Sequence, residues 1–339
     1  MGLFKGRIND GSYTPALLHR WLRPAISGNA INGLGETAAR RPTPIYHWFI
    51  HRPRYPFKWV EWIFILNNSR IWKGQKLIFE AMDYLKLKPA PIATQRVEGA
   101  PLEWSQRIKE FALANGADAV GITRMQPEWV FEGHEVTEPW IVMLGFHPDY
   151  EVFKTVPQID GALETLRTYN RGHRTAVKLA DWIRGQGWHA EGYGAPFASK
   201  INLIPPAIEA GLGELGKHGS IINRRYGSAF RLAYVVTELP LSADAPDSFG
   251  VDDFCSRCQV CSKACPPDAI LPEKQLVRGT EKWYVDFDKC LPYFNDTLGC
   301  GICIAVCPWS LPGIGDNLVR KLSRRREKTP AATISAVRP

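Results

Sequence analysis

Judged by the spacing of its apolar residues, the chain changes character near residue 100. Residues 1 to about 95 are rich in Trp, Arg and Pro and weakly periodic, which predicts loops and short helices wrapped around another part of the molecule. From Pro101 the pattern turns helical. Leu102, Trp104, Ile108, Phe111 and Ala112 recur at helical spacing, and Gly116 closes the element. Ala117 to Thr123 and Trp140 to Phe146 are short continuous apolar runs that predict buried strands. Ile159 to Gly185 predicts a long helix. Its core stripe steps by three and four through Ala162, Leu166, Tyr169, His173, Ala176 or Val177, Ala180 and Ile183. Trp188 to Tyr193 predicts another strand, and Pro205-Pro206 opens a short helix ending in glycines. Ala229 to Leu239 is the strongest strand pattern in the chain. Strands alternating with helices predict an α/β or α+β core, and Ala243 to Gly250 reads as a linker after it.

Composition narrows this little. With 339 residues, 45% hydrophobic and 22% charged, the chain is ordinary globular protein, neither disordered nor collagen-like. No run of 18 apolar residues exists, so no transmembrane segment is predicted. The most apolar stretch, Trp59 to Leu66, contains Glu61 and is too short to span. The N-terminus lacks the apolar region of a secretory signal, and Pro-Thr-Pro follows the pair Arg40-Arg41, so that pair reads as coincidence and a cytoplasmic location is expected. The net charge of +8 is compatible with nucleic acid, a membrane surface or acidic partners but points to none of them.

The cysteines are more informative. All eight fall between Cys255 and Cys307, which suits metal better than a disulfide framework scattered through a short secreted chain. Cys255, Cys258, Cys261 and Cys265-Pro266 form one group; Cys290, Cys300, Cys303 and Cys307-Pro308 form the other. In C-x2-C-x2-C-x3-C-P spacing three thiolates reach one cubane, and the fourth binds the other cluster. The expected sets are therefore Cys255, Cys258, Cys261 and Cys307 on one [4Fe–4S] cluster, and Cys265, Cys290, Cys300 and Cys303 on the second. Structural zinc is the competing reading, but it leaves the two C-x3-C-P endings unexplained. Two cubanes make an electron wire, which needs an acceptor in the preceding domain.

Gly211-Leu-Gly-Glu-Leu-Gly216 matches the G-x-G-x-x-G dinucleotide pattern. That fingerprint must follow a strand and open a helix, whereas a helix pattern precedes this one, and Gly219 and Ser220 lie beyond. The alternative is a glycine-rich turn where backbone approaches a bulky ligand.

The run from Ala210 to Leu241, followed by the two cysteine groups, resembles the corrinoid-dependent reductive dehalogenases and, in outline, their relatives the epoxyqueuosine reductases. The resemblance covers about residues 100 to 312. It implies an α+β fold with an α/β-type cobalamin-binding core and a C-terminal ferredoxin-like module carrying two [4Fe–4S] clusters. The cobalamin would be base-off, and no D-x-H-x-x-G motif is present to supply a histidine lower ligand. The implied division is 1–95 wrapping segment, 96–250 cobalamin-binding core, 251–312 dicluster module and 313–339 basic mobile tail.

Epoxyqueuosine reductases carry V-D-S-x-P, with a proton-donating Asp, where this chain has Gly192-Tyr193-Gly194-Ala195-Pro196. Gly-Leu-Gly-Glu is also closer to the dehalogenase side than the Gly-Leu-Gly-Trp of the tRNA enzymes. The respiratory dehalogenases' twin-arginine signal is missing, and so is the flavin and ferredoxin reductase often fused to catabolic members. A separate ferredoxin or flavoprotein donor is therefore implied.

By position, Tyr169 matches the family's proton-donating tyrosine and Arg231 the cation that tunes it. Tyr193, Gly211, Gly213, Gly216, Gly219 and Ser220 are the implied cofactor contacts. Tyr193 also counts as a possible substrate contact. His173 reads as a satisfied core histidine, and Tyr293 and Asn295 lie near where the family closes its substrate pocket. Trp48, Trp59, Trp62 and Trp72 are channel candidates that core packing explains equally well. The implied reaction removes halide from a small organohalide. The competing functions are epoxyqueuosine reduction on tRNA and non-catalytic electron transfer. The basic tail reads as solvated rather than as a nucleic-acid site.

Overall fold

The computed structural model describes residues 5–9, 11–46, 56–69, 76, 89–194 and 199–328. The N-terminal part supplies β1 (Arg7–Asn9), β2 (Ser12–Thr14), α1 (Leu17–Leu22), α2 (Gly28–Ile31) and α3 (Lys58–Ser69). The central part supplies α4 (Pro101–Ala114), β3 (Ala119–Arg124), β4 (Trp140–Phe146), α5 (Tyr150–Phe153), α6 (Ile159–Gly185) and β5 (Ala190–Gly194). It continues through α7 (Ile204–Glu209), β6 (Glu214–Leu215), β7 (Ile221–Ile222) and β8 (Arg231–Thr237). The C-terminal part contains α8 (Val251–Arg257), α9 (Val260–Lys263), β9 (Gln275–Val277), β10 (Thr280–Lys282), α10 (Phe287–Asp296), α11 (Ile302–Ala305) and α12 (Gly315–Lys328).

The main sheet runs β3-β4-β8-β5 with every ladder antiparallel, which makes the fold α+β. Its middle strand β4 is buried at all seven positions, which explains a continuous apolar run instead of an alternating one. Val142, Leu144, Ala233 and Val235 pack on one side against α4 and α6. Ile141, Met143, Tyr234 and Val236 pack on the other, against α7 and the glycine run. Helix α6 lies directly on β5, where a Cβ on Gly192 would meet the Ala176 carbonyl oxygen at 2.3 Å. The strand glycine marks that close approach.

The segment after the sheet has no regular structure from 238 to 250, yet it is tied down. Asp244 accepts from the Ile122 amide at 2.9 Å and pairs with Lys109 at 2.5 Å. Asp247 pairs with Arg224.

The N-terminal segment wraps the cysteine-bearing part. Asp288 accepts from Ser27 and from the amides of Gly28 and Asn29, and Asp296 accepts from Gly6 and Tyr13. Arg40 pairs with Glu36, while Arg41 donates to the carbonyls of Val130, Phe131 and His134, so both arginines serve the fold. The basic stretch expected to be mobile is helical as far as it is described. Leu322 anchors α12 in a cluster with Trp309 and Cys307, and 329–339 lie outside the described residues. Among the described residues no helix is long and apolar enough to cross a membrane.

Candidate active site and cluster-binding module

The eight cysteines are free thiols, and the fold sorts them. Cys255 sits on α8, Cys258 just past its end and Cys261 on α9. Burial raises the Cys255 thiol to about 12, with Cys307, Cys261 and Cys258 adding to it. Burial likewise pushes Cys307 up to about 11, with Cys261 and Cys258 as its cysteine neighbours. Cys290, on α10, is raised to about 12 by burial and then by Cys300 and Cys265. Cys303, on α11, is raised by burial and then by Cys300, Cys290, Cys265 and Cys261. By these mutual influences Cys255, Cys258, Cys261 and Cys307 go together, as do Cys265, Cys290, Cys300 and Cys303, with Cys261 also felt at Cys303.

Such buried thiols become thiolates only against a cation. Among the described residues, the one set of three metal-type ligand atoms within 4.8 Å of each other is Glu138, His189 and Glu191, with no cysteine in it. Tetrahedral zinc needs sulfurs about 3.8 Å apart, from Zn–S bonds of about 2.3 Å. No three cysteine sulfurs among the described residues come that close.

A cavity of about 750 Å³ lies between the sheet and this module. Trp62, Phe64 and Ile65 of α3, Leu166 and Tyr169 of α6, Phe230 and Arg231 at the start of β8, and Cys265, Cys290, Cys300 and Cys303 all line it. None of the other four cysteines does. The N-terminal part of the α6 stripe thus leaves the core, and Ala162, Leu166 and Tyr169 face the cavity. Arg231 and Tyr169 meet there because alternate residues of a strand share a face. Arg231, Ala233 and Val235 all point to the α6 side, and the Arg231 guanidinium lies 5.7 Å from the Tyr169 ring centroid and 5.3 Å from that of Phe153. Arg231 spends one donor on the Phe230 carbonyl at 3.2 Å, and its Nε has no hydrogen-bond partner among the described residues. No histidine lines the cavity among the described residues.

A 4Fe-4S dicluster domain model matches residues 254–311. The tetrachloroethene reductive dehalogenase of Dehalobacter restrictus is 30% identical over 240 residues, 66% of this chain and 42% of that protein. Among solved structures, a catabolic reductive dehalogenase, NpRdhA, in complex with 3-bromo-4-hydroxybenzoic acid matches with a TM-score of 0.67. It is 28% identical, over 75% of this chain and 39% of that one. Over that stretch the chain is similar to the reductive dehalogenases. It spans about two fifths of the Dehalobacter protein's length. An epoxyqueuosine reductase of Leadbetterella byssophila is a further relative, 37% identical over 121 residues, 31% of this chain and 35% of that protein.

The remaining candidates fall in different places. Ser220 lines the cavity; Gly211, Gly213, Gly216 and Gly219 do not. The run follows helix α7 and continues into the β6–β7 hairpin instead of opening a helix, so the dinucleotide reading is excluded. Its close approaches are to its own chain: a Cβ on Gly213 would meet the Ile222 carbonyl oxygen at 2.1 Å, at a φ of +149°.

Tyr193 lies outside the cavity. It stacks on Tyr234 at 5.0 Å and donates to Glu191, and burial together with that carboxylate raises its phenol, which makes it a poor acid. Glu191 also pairs with Lys200, and Glu138 with His189, so this acidic group is satisfied by its neighbours.

His173 is buried where α6 meets β5. Tyr293 lines the cavity, whereas Asn295 is fully buried and ties Tyr46, Val60 and Asn67 together. Trp62 is a wall residue, Trp59 is 56% exposed, and Trp48 and Trp72 lie outside the described residues.

Sequence reasoning missed two buried ionisable side chains inside the glycine run, Lys217 and His218. Their signal was two charged-type residues flanked by glycines and an isoleucine pair.

Proposed function

We propose that the protein is a corrinoid-dependent reductive dehalogenase acting on a small organohalide, R–X + 2e⁻ + H⁺ → R–H + X⁻. One observation carries this reading: a single cavity is lined both by Tyr169 and Arg231 and by four cluster-type cysteines. Cys255, Cys258, Cys261 and Cys307 would hold a first [4Fe–4S] cluster, and Cys265, Cys290, Cys300 and Cys303 a second facing the cavity. The cavity would hold a base-off cobalamin against Ser220 and Phe230, with the glycine run as scaffold behind them. Parts 1–95, 96–250, 251–312 and 313–339 would act as wrap, cobalamin-binding core, cluster module and tail. An external ferredoxin or flavoprotein would supply the electrons.

When bound, the corrinoid would supply low-valent cobalt as the reductant for carbon–halogen cleavage. The chain's own residues do the rest. The Tyr169 hydroxyl holds the proton that ends on carbon, and Arg231 stabilises the phenolate left behind, which lowers the cost of the transfer. Phe153, Leu166 and Phe230 keep the surroundings apolar, which strengthens that charge pairing.

The experiment is halide release by anaerobically reconstituted protein with a chemical reductant and a panel of brominated and chlorinated phenols and alkenes. Halide and reduced product in equal amounts support the reading. Turnover of epoxyqueuosine tRNA without halide release transfers the chain to the other relatives.

A further inference from the structure

Lys217 lies in the glycine run and is 1% exposed, and its Nζ has no hydrogen-bond partner among the described residues. Leaving an ammonium buried and unpaired is costly. The Trp283 ring, 4.7 Å from Nζ, offsets part of that cost through its π face. The indole is held in place from outside, where Lys274 lies 5.6 Å away and Asp252 accepts its Nε1 hydrogen at 2.9 Å.

The buried cluster that contains Trp283 also contains Cys255 and Cys307. The Lys217 backbone amide pulls the Cys255 thiol down against the effect of burial. Burial pushes the Cys261 thiol up, Cys258 adds to the rise, and Lys217 pulls it down. Lys217 is not among the groups that shift Cys265, Cys290, Cys300 or Cys303. Through Trp283 the unpaired Lys217 ammonium thus stands beside the first cysteine set, three of whose four thiols are buried.

We propose that the Lys217 ammonium is a positioning charge for the first cluster, raising its reduction potential by favouring its more negative, reduced state. The proposal rests on Cys255, Cys258, Cys261 and Cys307 holding that cluster. Reduction adds one electron to the cluster and breaks no bond. The net negative charge of a cubane with four thiolates grows by one, and a nearby fixed cation stabilises the product more than the reactant.

The test is an EPR-monitored redox titration of the anaerobic, cluster-loaded protein with dithionite. Iron is measured first in every sample, and Cys255→Ser identifies which signal belongs to the first cluster. Lys217→Met keeps the buried stem and removes the charge. With about eight irons retained, the first midpoint should fall by at least tenfold in the reduction equilibrium, about 59 mV, and the second should stay where it is. Lys217→Arg, which keeps the charge, should stay within that margin of wild type. An unchanged first midpoint in Lys217→Met overturns the proposal. So does an equal fall in Lys217→Arg, or a fall shared by both clusters. If Lys217→Met does not load the first cluster, Lys217→Gln is read by the same criteria. Wild-type protein that loads only about four irons overturns the cluster assignment itself.

Discussion

The Arg231 guanidinium faces the Tyr169 ring at 5.7 Å, across the gap between the first residue of β8 and the first half of α6. Neither residue is fully buried, and both line the cavity onto which the second cysteine set opens. Tyr169→Phe removes only the hydroxyl, and the ring keeps its packing. The predicted loss of dehalogenation is about 10²–10⁴-fold in kcat, the usual contribution of general acid catalysis, with iron and cobalt content unchanged. Arg231→Leu is predicted to act in the same direction, because the phenolate loses its cation. Near wild-type turnover by Tyr169→Phe would place the donor elsewhere.

The sorting of the cysteines makes a second prediction. Fully loaded protein contains about eight irons, and Cys303→Ser and Cys255→Ser each lower this toward about four, removing different EPR signals. Loss of the same signal in both variants would contradict the two sets.

The middle of the fold was legible because it is strongly patterned. Trp140 to Phe146 forms β4 at the residues its apolar run predicted, and Ile159 to Gly185 forms α6. Periodicity could not say what a face packs against. The stripe from Ala162 to Ile183 reads as one core face, yet its first three members border a cavity. The partner of the wrapping segment was equally hidden, since Ser27 and Asp288 meet across 261 positions with no local signal in either stretch. Glycines report that backbone comes close without saying to what. In the run at Gly213 the near neighbour is Ile222, and in β5 at Gly192 it is helix α6.

Gly213→Ala therefore tests scaffold against cofactor contact. The added methyl would clash with the Ile222 carbonyl at a φ that non-glycine residues avoid. The predicted effect is a loss of about 1–3 kcal/mol of stability, seen as a lower Tm in protein without corrinoid as well as with it. A stability loss confined to the corrinoid-loaded form would restore the ligand-contact reading.

Acid sensitivity follows from His218. Burial holds its imidazole down at about 4, against 6.5 for a free histidine, with the Arg231 charge pushing the same way. Because the folded value is depressed, the unfolded chain binds the extra proton first, and stability falls as the pH drops through the window from about 6.5 to 4. Between pH 7.5 and 5.5 the cost is about 1 kcal/mol in denaturant unfolding. His218→Asn is predicted to flatten that slope by the same amount. An unaltered slope would remove His218 from the account.

A histidine-free cavity makes a further prediction for the corrinoid. In the Co(II) state its EPR spectrum lacks the nitrogen splitting that an axial imidazole gives. Such splitting would require a histidine that the described cavity wall does not contain.

The cavity between Tyr169, Arg231 and the second cysteine set is proposed to house a corrinoid. Cobalt analysis of anaerobically reconstituted, folded protein tests it most directly. About one cobalt per chain alongside about eight irons is the expected result. Full iron with no cobalt would contradict it and leave an electron-transfer protein in its place.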